Sequence, residues 1–361
     1  MITCAPPYLL MIEEVWINED FGDDFFTEFK EKQKEMKKNI LIIGLHIMVA
    51  ITLVAPEKEF PKLRGSYLGQ KPPGMTPKIF APGIISTENK EHSTLAFSPD
   101  GTEIYWSIWP VPRSSNIPQV IKFMKIENGI WSKPQVASFS GEYMDGGPCF
   151  YPDGERLFFY SNRPLIKNGK SRGDTDFWYV QRTKSGWSEP KHAGFIINST
   201  NNEQALSFTS DGKMYFSSAY QVNGKWEADI YTSTLKDGIY TEPVNISQLI
   251  NTTECSGYRP CISPDESFII FSSDCRQFSS DDKYLGGKRQ LVIAFRKSNN
   301  IWSKTIGMGP AINISYEGAR FPGLSPDGKY LFFTRYDENW NEDIYWVDAR
   351  IIDEIKLKEL K

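Results

Sequence analysis

The sequence is poor in the residues that build metal centres. Its 361 residues include only 5 Cys and 3 His, and no Cys/His cluster has zinc spacing. No glycine-rich loop precedes a helix as a phosphate cradle requires. No cofactor is indicated. Charge of one sign is also lacking: Lys+Arg 41 against Asp+Glu 45 gives a formal net charge of −4, and the basic residues are scattered. Without a basic stripe there is no electrostatic footprint for a phosphate backbone, which excludes nucleic acid as a partner. Long apolar runs are missing too. Ile40 to Val54 falls short of the ~20 residues that span a bilayer.

That run follows Met36-Lys37-Lys38 and precedes Ala55-Pro56, the layout of a secretory signal with a positive start, an apolar middle and a small residue at the cut. Leu53 occupies the place three before that cut, where a small residue is preferred, so an uncleaved anchor stays open. No Cys follows the run, so a lipid anchor is not indicated. Residues 1–35 are acidic and carry no repeat, which marks them as a disordered or spurious extension ahead of a true start at Met36; the alternative is a helix over 10–55 that anchors the protein. Residues 56–74 form a linker, 75–349 the folded domain and 350–361 a charged tail or short helix.

What the chain does have is aromatics, 14% of all residues, which suit half-buried pleated surfaces, and a repeat. Five segments align: Leu95-Ala-Phe-Ser-Pro-Asp-Gly101, Pro148-Cys-Phe-Tyr-Pro-Asp-Gly154, Leu206-Ser-Phe-Thr-Ser-Asp-Gly212, Pro260-Cys-Ile-Ser-Pro-Asp-Glu266 and Pro322-Gly-Leu-Ser-Pro-Asp-Gly328. Their Asp residues are spaced by 53, 58, 54 and 62, the length of one four-stranded sheet with its loops. Pro presets φ, Asp bonds back to the chain and Gly accepts a positive φ, so each segment joins two strands by a tight turn. The second strand is aromatic or aliphatic in every copy, as in Leu157-Phe-Phe-Tyr160. A third follows a variable loop, opened by Asp176, Asp229 or Asp343. A fourth opens at Trp131, Trp187, Tyr240 or Trp302. The last copy lacks its fourth strand, and residues 71–85 resemble the fourth-strand segments. The pattern predicts an all-β, five-bladed propeller, with six blades as the alternative, whose last blade is closed by an N-terminal strand that removes the open sheet edges.

On these repeats, over residues 70–349, the chain resembles the WD-like propeller repeat family typified by TolB, a periplasmic protein of the Tol system. The resemblance implies an exported, periplasmic or secreted, protein that binds partners at the bacterial envelope. Members usually have six blades, whereas five repeats are present here. Propellers of the prolyl oligopeptidase type are similar, but neither their hydrolase domain nor its Gly-x-Ser-x-Gly elbow is expected here.

Alternating strand direction puts the loops between second and third strands on the same face as the links between blades. These loops are long (107–119, 161–175, 218–228, 273–289), whereas the Ser-Pro-Asp-Gly face has short ones, so binding is expected on the long-loop face. Residues just before each first strand should ring the channel mouth there: Glu91, His92, Asp145, Glu203, Gln204, Tyr258, Arg259, Glu317 and Arg320. Arg163 and Arg335 end second strands nearby, and Trp109 and Trp226 stand outside the repeat pattern as platforms for a sugar. These residues suit a protein, peptide or glycan ligand of a monomeric binding protein. The alternative is a glycoside hydrolase or lyase using Asp145, Glu203 and Glu317, since two carboxylates at suitable separation serve as acid and base. Water-filled rims are also polar for their own sake, with acids and arginines paired. No metal site is expected.

Cys149 and Cys261 occupy equivalent first-strand places, as small buried hydrophobes. Cys255 and Cys275 face each other if the pairing that sets Ile262 opposite Phe268 persists, which allows a disulfide in an exported protein. Asn198, Asn245, Asn251 and Asn313 head formal glycosylation sequons, for which turn chemistry in the interblade links is a sufficient account.

Overall fold

The computed structural model describes residues 27–28, 30–40, 59–111, 117–166, 169–275, 277–278, 284–286, 288–314 and 318–359. The chain divides into two units, Met1–Pro61 and Lys62–Lys361. In the first, residues 30–40 are helical; Glu28 and Lys32, four apart, pair at 2.7 Å, a spacing that supports an exposed helix. Beyond Ile40, the run read as a signal or anchor lies outside the described residues. Among the described residues, no helix is long and apolar enough to cross a membrane.

The second unit is a five-bladed β-propeller of antiparallel meanders. Blade 1 runs through Lys90–Glu91 with Ala96–Phe97, then Glu103–Trp109, Val120–Glu127 and an outer strand of Ile130–Trp131 and Gln135–Val136. Blade 2 comprises Asp145–Phe150, Arg156–Ser161, Asp176–Thr183, and Gly186–Trp187 with Lys191–His192. Blade 3 is Asn202–Phe208, Met214–Val222, Lys225–Ser233 and Val244–Asn245; blade 4 is Ser256–Ile262, Phe268–Asp274, Arg289–Phe295 and Ile306–Gly307. Blade 5 takes Ala319–Leu324, Tyr330–Tyr336 and Glu342–Asp348 from the end of the chain and Lys78–Ile79 from its front. In that closing ladder Lys78 lies opposite Trp346 and Ile79 opposite Tyr345.

Each first strand ends in a turn held by its Asp. Asp100 accepts from Ser98 Oγ at 2.6 Å and Thr102 N at 3.0 Å, and Asp327 from Ser325 Oγ at 2.8 Å and Lys329 N at 3.1 Å. Between neighbouring blades lie apolar seams, such as Phe150, Phe159 and Trp178 between blades 1 and 2, and Ile270, Leu291, Leu331 and Phe333 between blades 4 and 5. The ring closes on aromatics: Phe97 of blade 1 meets Phe332 of blade 5 at 5.3 Å, and Phe80 meets Phe332 and Trp346 at 5.2 and 5.1 Å. Segment 63–70, read as linker, straps this seam: Trp131 Nε1 donates to Gly65 O at 2.8 Å and Tyr67 Oη to Asp327 at 2.7 Å. Helix Arg350–Glu359 buries Ile351 and Ile352 against blades 4 and 5.

Two readings of local structure need correction. The stretch 218–228 is a hairpin and not a loop, because Asn223 and Gly224 both take positive φ (50° and 76°) and turn Met214–Val222 straight into Lys225–Ser233. Ile262 faces Ile269 and not Phe268; a bulge between Tyr258 and Cys261 then shifts the register by one, so that Ser256 still meets Asp274.

Candidate binding site at the channel mouth

The first strands of blades 2 to 5 share one irregularity. Register slips at Gly146/Cys149, Gln204/Leu206, Tyr258/Cys261 and Arg320/Gly323, and the residue in the slip takes positive φ: Gly147 57°, Ala205 32°, Arg259 55° and Phe321 49°. A bulge re-aims side chains, and in blades 4 and 5 it brings Arg259 and Phe321 together, with the guanidinium 4.1 Å from the ring centroid. Blade 1 adds His92, whose ring stands 4.8 Å from Phe321. Blade 3 fixes the Arg259 backbone, Ser217 Oγ accepting from Arg259 N at 3.2 Å.

The hub of this cluster is Glu342, which sequence reasoning missed because it sits one residue before the recurring third-strand Asp. It is fully buried. Arg320 Nη2 donates to its Oε1 at 2.6 Å, Thr334 Oγ1 to the same oxygen at 3.3 Å, and His92 Nδ1 lies 3.0 Å from Oε2. Burial works to raise its pKa, yet His92 and Arg320 hold it down to about 2. On His92 burial outweighs the attraction of Glu342 and lowers the pKa. On Arg259, burial first and then the repulsion of Arg320 and Arg289 bring it down to about 10. Around the rim, Tyr160 Oη donates to Gln119 Oε1 at 3.2 Å, and Gln119 Nε2 to His92 O at 3.4 Å. Gly146 lies directly beneath both, since a Cβ there would strike the Tyr160 hydroxyl and meet Gln119 Nε2 at 2.6 Å.

Three expected rim acids do something else. Glu91, Asp145 and Glu203 take equivalent places opposite the end of the second strand, facing Ile108, Ser161 and Ser218. Each reaches back to the link entering its own blade. Glu91 Oε1 accepts from Thr87 Oγ1 at 2.9 Å, Asp145 Oδ2 from Ser140 Oγ at 2.9 Å and Glu203 Oε1 from Ser199 Oγ at 2.7 Å. Asp145 is also paired with Arg163 at 2.7 Å. Burial raises Glu91 to about 9 and Glu203 to about 7, and the second oxygen of each is buried without a partner among the described residues, the place for a proton. Glu317 lies outside the described residues.

The other expected residues are spread out. Arg163 donates to Phe139 O at 3.1 Å and Arg335 to Ala311 O at 3.3 Å, so both brace neighbouring links. Gln204 and Tyr258 are half-buried on first strands. Trp109 lies opposite Lys90, its ring 6.4 Å from His92. Trp226 is 54% exposed on the blade 3 hairpin. Among the described residues the third-strand Asp residues share no common backbone bond: Asp176 pairs with Arg172 and His192, and Asp229 accepts from Tyr220 Oη. A Gly-x-Ser-x-Gly string at Gly169 to Gly173 lies in the blade 2 loop without the strand and helix of a nucleophile elbow. Cys255 and Cys275 form a disulfide, Cα atoms 4.3 Å apart, beside the mouth.

The sequons have a structural use. Asn198, Asn251 and Asn313 each turn the side-chain amide onto both backbone groups of a third-strand residue. Phe177 N donates to Asn198 Oδ1 at 2.7 Å while Asn198 Nδ2 donates to Phe177 O at 3.1 Å, and Ile230 and Leu291 are held in the same way. Asn245 instead stands exposed on an outer strand.

Towards the Ser-Pro-Asp-Gly face the channel widens into a cavity of about 360 Å³ ringed by Pro148, Pro260, Pro322 and Leu206. On the long-loop side a groove of about 660 Å³ runs past Tyr143, Leu165, Trp178 and Pro190, and among the described residues the buried Trp178 Nε1 has no partner.

No known family model matches the sequence, and no curated protein does. Among solved structures the chain is similar to TolB from Acinetobacter baumannii, with a TM-score of 0.44 and 16% identity over 74% of this chain and 53% of that one. It is also similar to a glycoside hydrolase, with a TM-score of 0.48 and 11% identity over 78% of this chain and 93% of that one. A third is an endo-arabinase from Bacteroides thetaiotaomicron, with a TM-score of 0.44 and 11% identity over 73% and 95%. The chain thus spans about half the length of the Acinetobacter TolB. Such likeness concerns fold alone, and the blade count here rests on strand pairing.

Proposed function

We propose that this chain is an exported, TolB-like binding protein of the bacterial envelope that docks a protein or peptide on its long-loop face. The observation that carries this reading is where the large exposed apolar side chains lie. Val111, Ile117, Leu165, Ile166, Val222, Trp226 and Trp340, exposed by 39 to 79%, lie on the connections between second and third strands of four blades, Val222 and Trp226 flanking the blade 3 hairpin turn. The turns of the opposite face contribute Ile239 and Ile301. Exposed apolar residues gathered on one face of a rigid scaffold mark an interaction surface.

A carbohydrate-active enzyme is the second reading, favoured by Glu203, whose pKa of about 7 suits a general acid. Against it, each of the three buried rim acids has an oxygen turned onto a Ser or Thr of its own link. The deciding experiment is capture of partners from an envelope fraction with the wild type, with Ile166→Ser/Trp226→Ser and with Ile239→Ser/Ile301→Ser, beside an assay on aryl glycosides. The binding reading expects a partner lost only in the first double variant. Turnover abolished by Glu203→Gln overturns it in favour of the enzyme.

A further inference from the structure

Among the described residues, one charge in the channel has no counter-charge paired with it. Arg320 is paired with Glu342, His92 is bound to the same carboxylate, and Arg289 is paired with Asp274 at 2.7 Å. Among the described residues the Arg259 guanidinium has neither a hydrogen-bond acceptor nor an ion-pair partner, and rests on the Phe321 ring alone at 4.1 Å, with Tyr258 at 5.7 Å. Arg259 is half-buried, so its guanidinium is open to an anion that enters the channel. The backbone of Arg259, with φ of 55°, is a conformation that non-glycine residues keep only where the surroundings impose it, and such outliers gather at ligand clamps. Two independent departures from the ordinary thus meet at one residue in the centre of the channel.

We propose that Arg259, stacked on Phe321, is the anchor of a carboxylate-binding site that a peptide fills by inserting an acidic group through the long-loop mouth. A planar guanidinium presents two parallel N–H donors that fit a carboxylate fork to fork. The charge balance selects a monoanion: Arg320 and Glu342 cancel, so one negative charge neutralises Arg259, whereas a phosphate dianion would leave a surplus facing Glu342. Entry is from the long-loop side because Pro260, next in the chain, belongs to the proline ring towards the other end. The peptide source rests on the proposed binding function; the carboxylate site itself does not.

The test uses the full chain and ligand-observed saturation-transfer NMR with acetate, and with acetamide as the uncharged isostere. N-acetylglycine and N-acetylaspartic acid α-methylamide stand for a chain terminus and an acidic side chain. Acetate is expected to receive saturation and acetamide none; Arg259→Lys, which keeps charge but not the fork, weakens the acetate signal, and Arg259→Gln abolishes it. Arg259→Gln is also expected to melt no lower than wild type in carboxylate-free buffer, since it removes an unpaired cation. Equal saturation of acetate and acetamide by the wild type, or an acetate signal that survives Arg259→Gln, overturns the site. Acetate binding that persists in Ile166→Ser/Trp226→Ser while partner capture fails leaves the site standing and confines the loss to the docking face.

Discussion

Ile79 lies opposite Tyr345, so the front of the propeller chain completes the sheet begun by its end. The next residue makes the closure energetic as well as geometric. Phe80 N donates to Ile344 O at 2.7 Å, and the Phe80 ring is fully buried against Phe332 and Trp346. Phe80→Ala is expected to cost about 3–5 kcal/mol, read as a lowered urea midpoint. Val136→Ala, at an exposed outer-strand place, is expected to change stability by less than about 0.5 kcal/mol.

The Asn brackets give a second expectation. Asn198→Ala leaves the N–H and C=O of Phe177 without their side-chain partners in a buried seam, at about 1–3 kcal/mol for an unsatisfied group. Asn198→Asp keeps the acceptor and loses the donor, so it falls between. Expressed through a glycosylating secretory pathway, the chain is expected to carry glycan at the exposed Asn245 in preference to Asn198, whose amide is already engaged; intact mass with Asn→Gln variants reads this directly.

Stability should peak in mildly acidic solution. Glu203 and Glu91 have folded pKa values raised by burial to about 7 and about 9 from 4.5. A carboxyl that binds its proton more tightly when folded loses stability as pH climbs from its unfolded value to its folded one. For Glu203 that is roughly 3 kcal/mol between pH 4.5 and 7. Glu342 acts in the opposite sense: its folded value of about 2 gives stability that is present above 4.5 and lost as pH falls towards 2. Melting temperature against pH should therefore decline on both sides, and Glu203→Gln should flatten the decline between pH 5 and 7.

The Cys255–Cys275 bridge closes a separation of 20 residues, worth about 3 kcal/mol in the chain-entropy account. Thiol titration of denatured protein before and after reduction should show a gain of two, with Cys149 and Cys261 free at the outset.

The blades were legible in the sequence because their signal is local and repeated. Four adjacent residues centred on an Asp fix each turn, reading Ser-Pro-Asp-Gly in two copies and a close variant in three, and the five copies define the period. The closing strand was legible for the same reason, as an orphan fourth strand. What escaped depends on depth or on one shifted residue. The bulge in the first strands of blades 2 to 5 is an insertion without a composition signature, so neither the Ile262 pairing nor the meeting of Arg259 with Phe321 could be read. Glu91, Asp145 and Glu203 were recognisable as rim residues, but whether a carboxylate faces the channel or turns back onto Thr87, Ser140 or Ser199 is decided by one side-chain torsion. Glu342 was hidden by its neighbour Asp343, which fits the repeat.

The central claim, that the long-loop face receives a partner, is tested most directly by photo-crosslinking in a bacterial envelope fraction from two positions of the full chain. A photoreactive residue in place of Trp226 is expected to give a discrete protein adduct, and the same residue in place of Ile239, on the opposite face, none. Adducts from position 239 in equal yield, or none from position 226, would contradict the account.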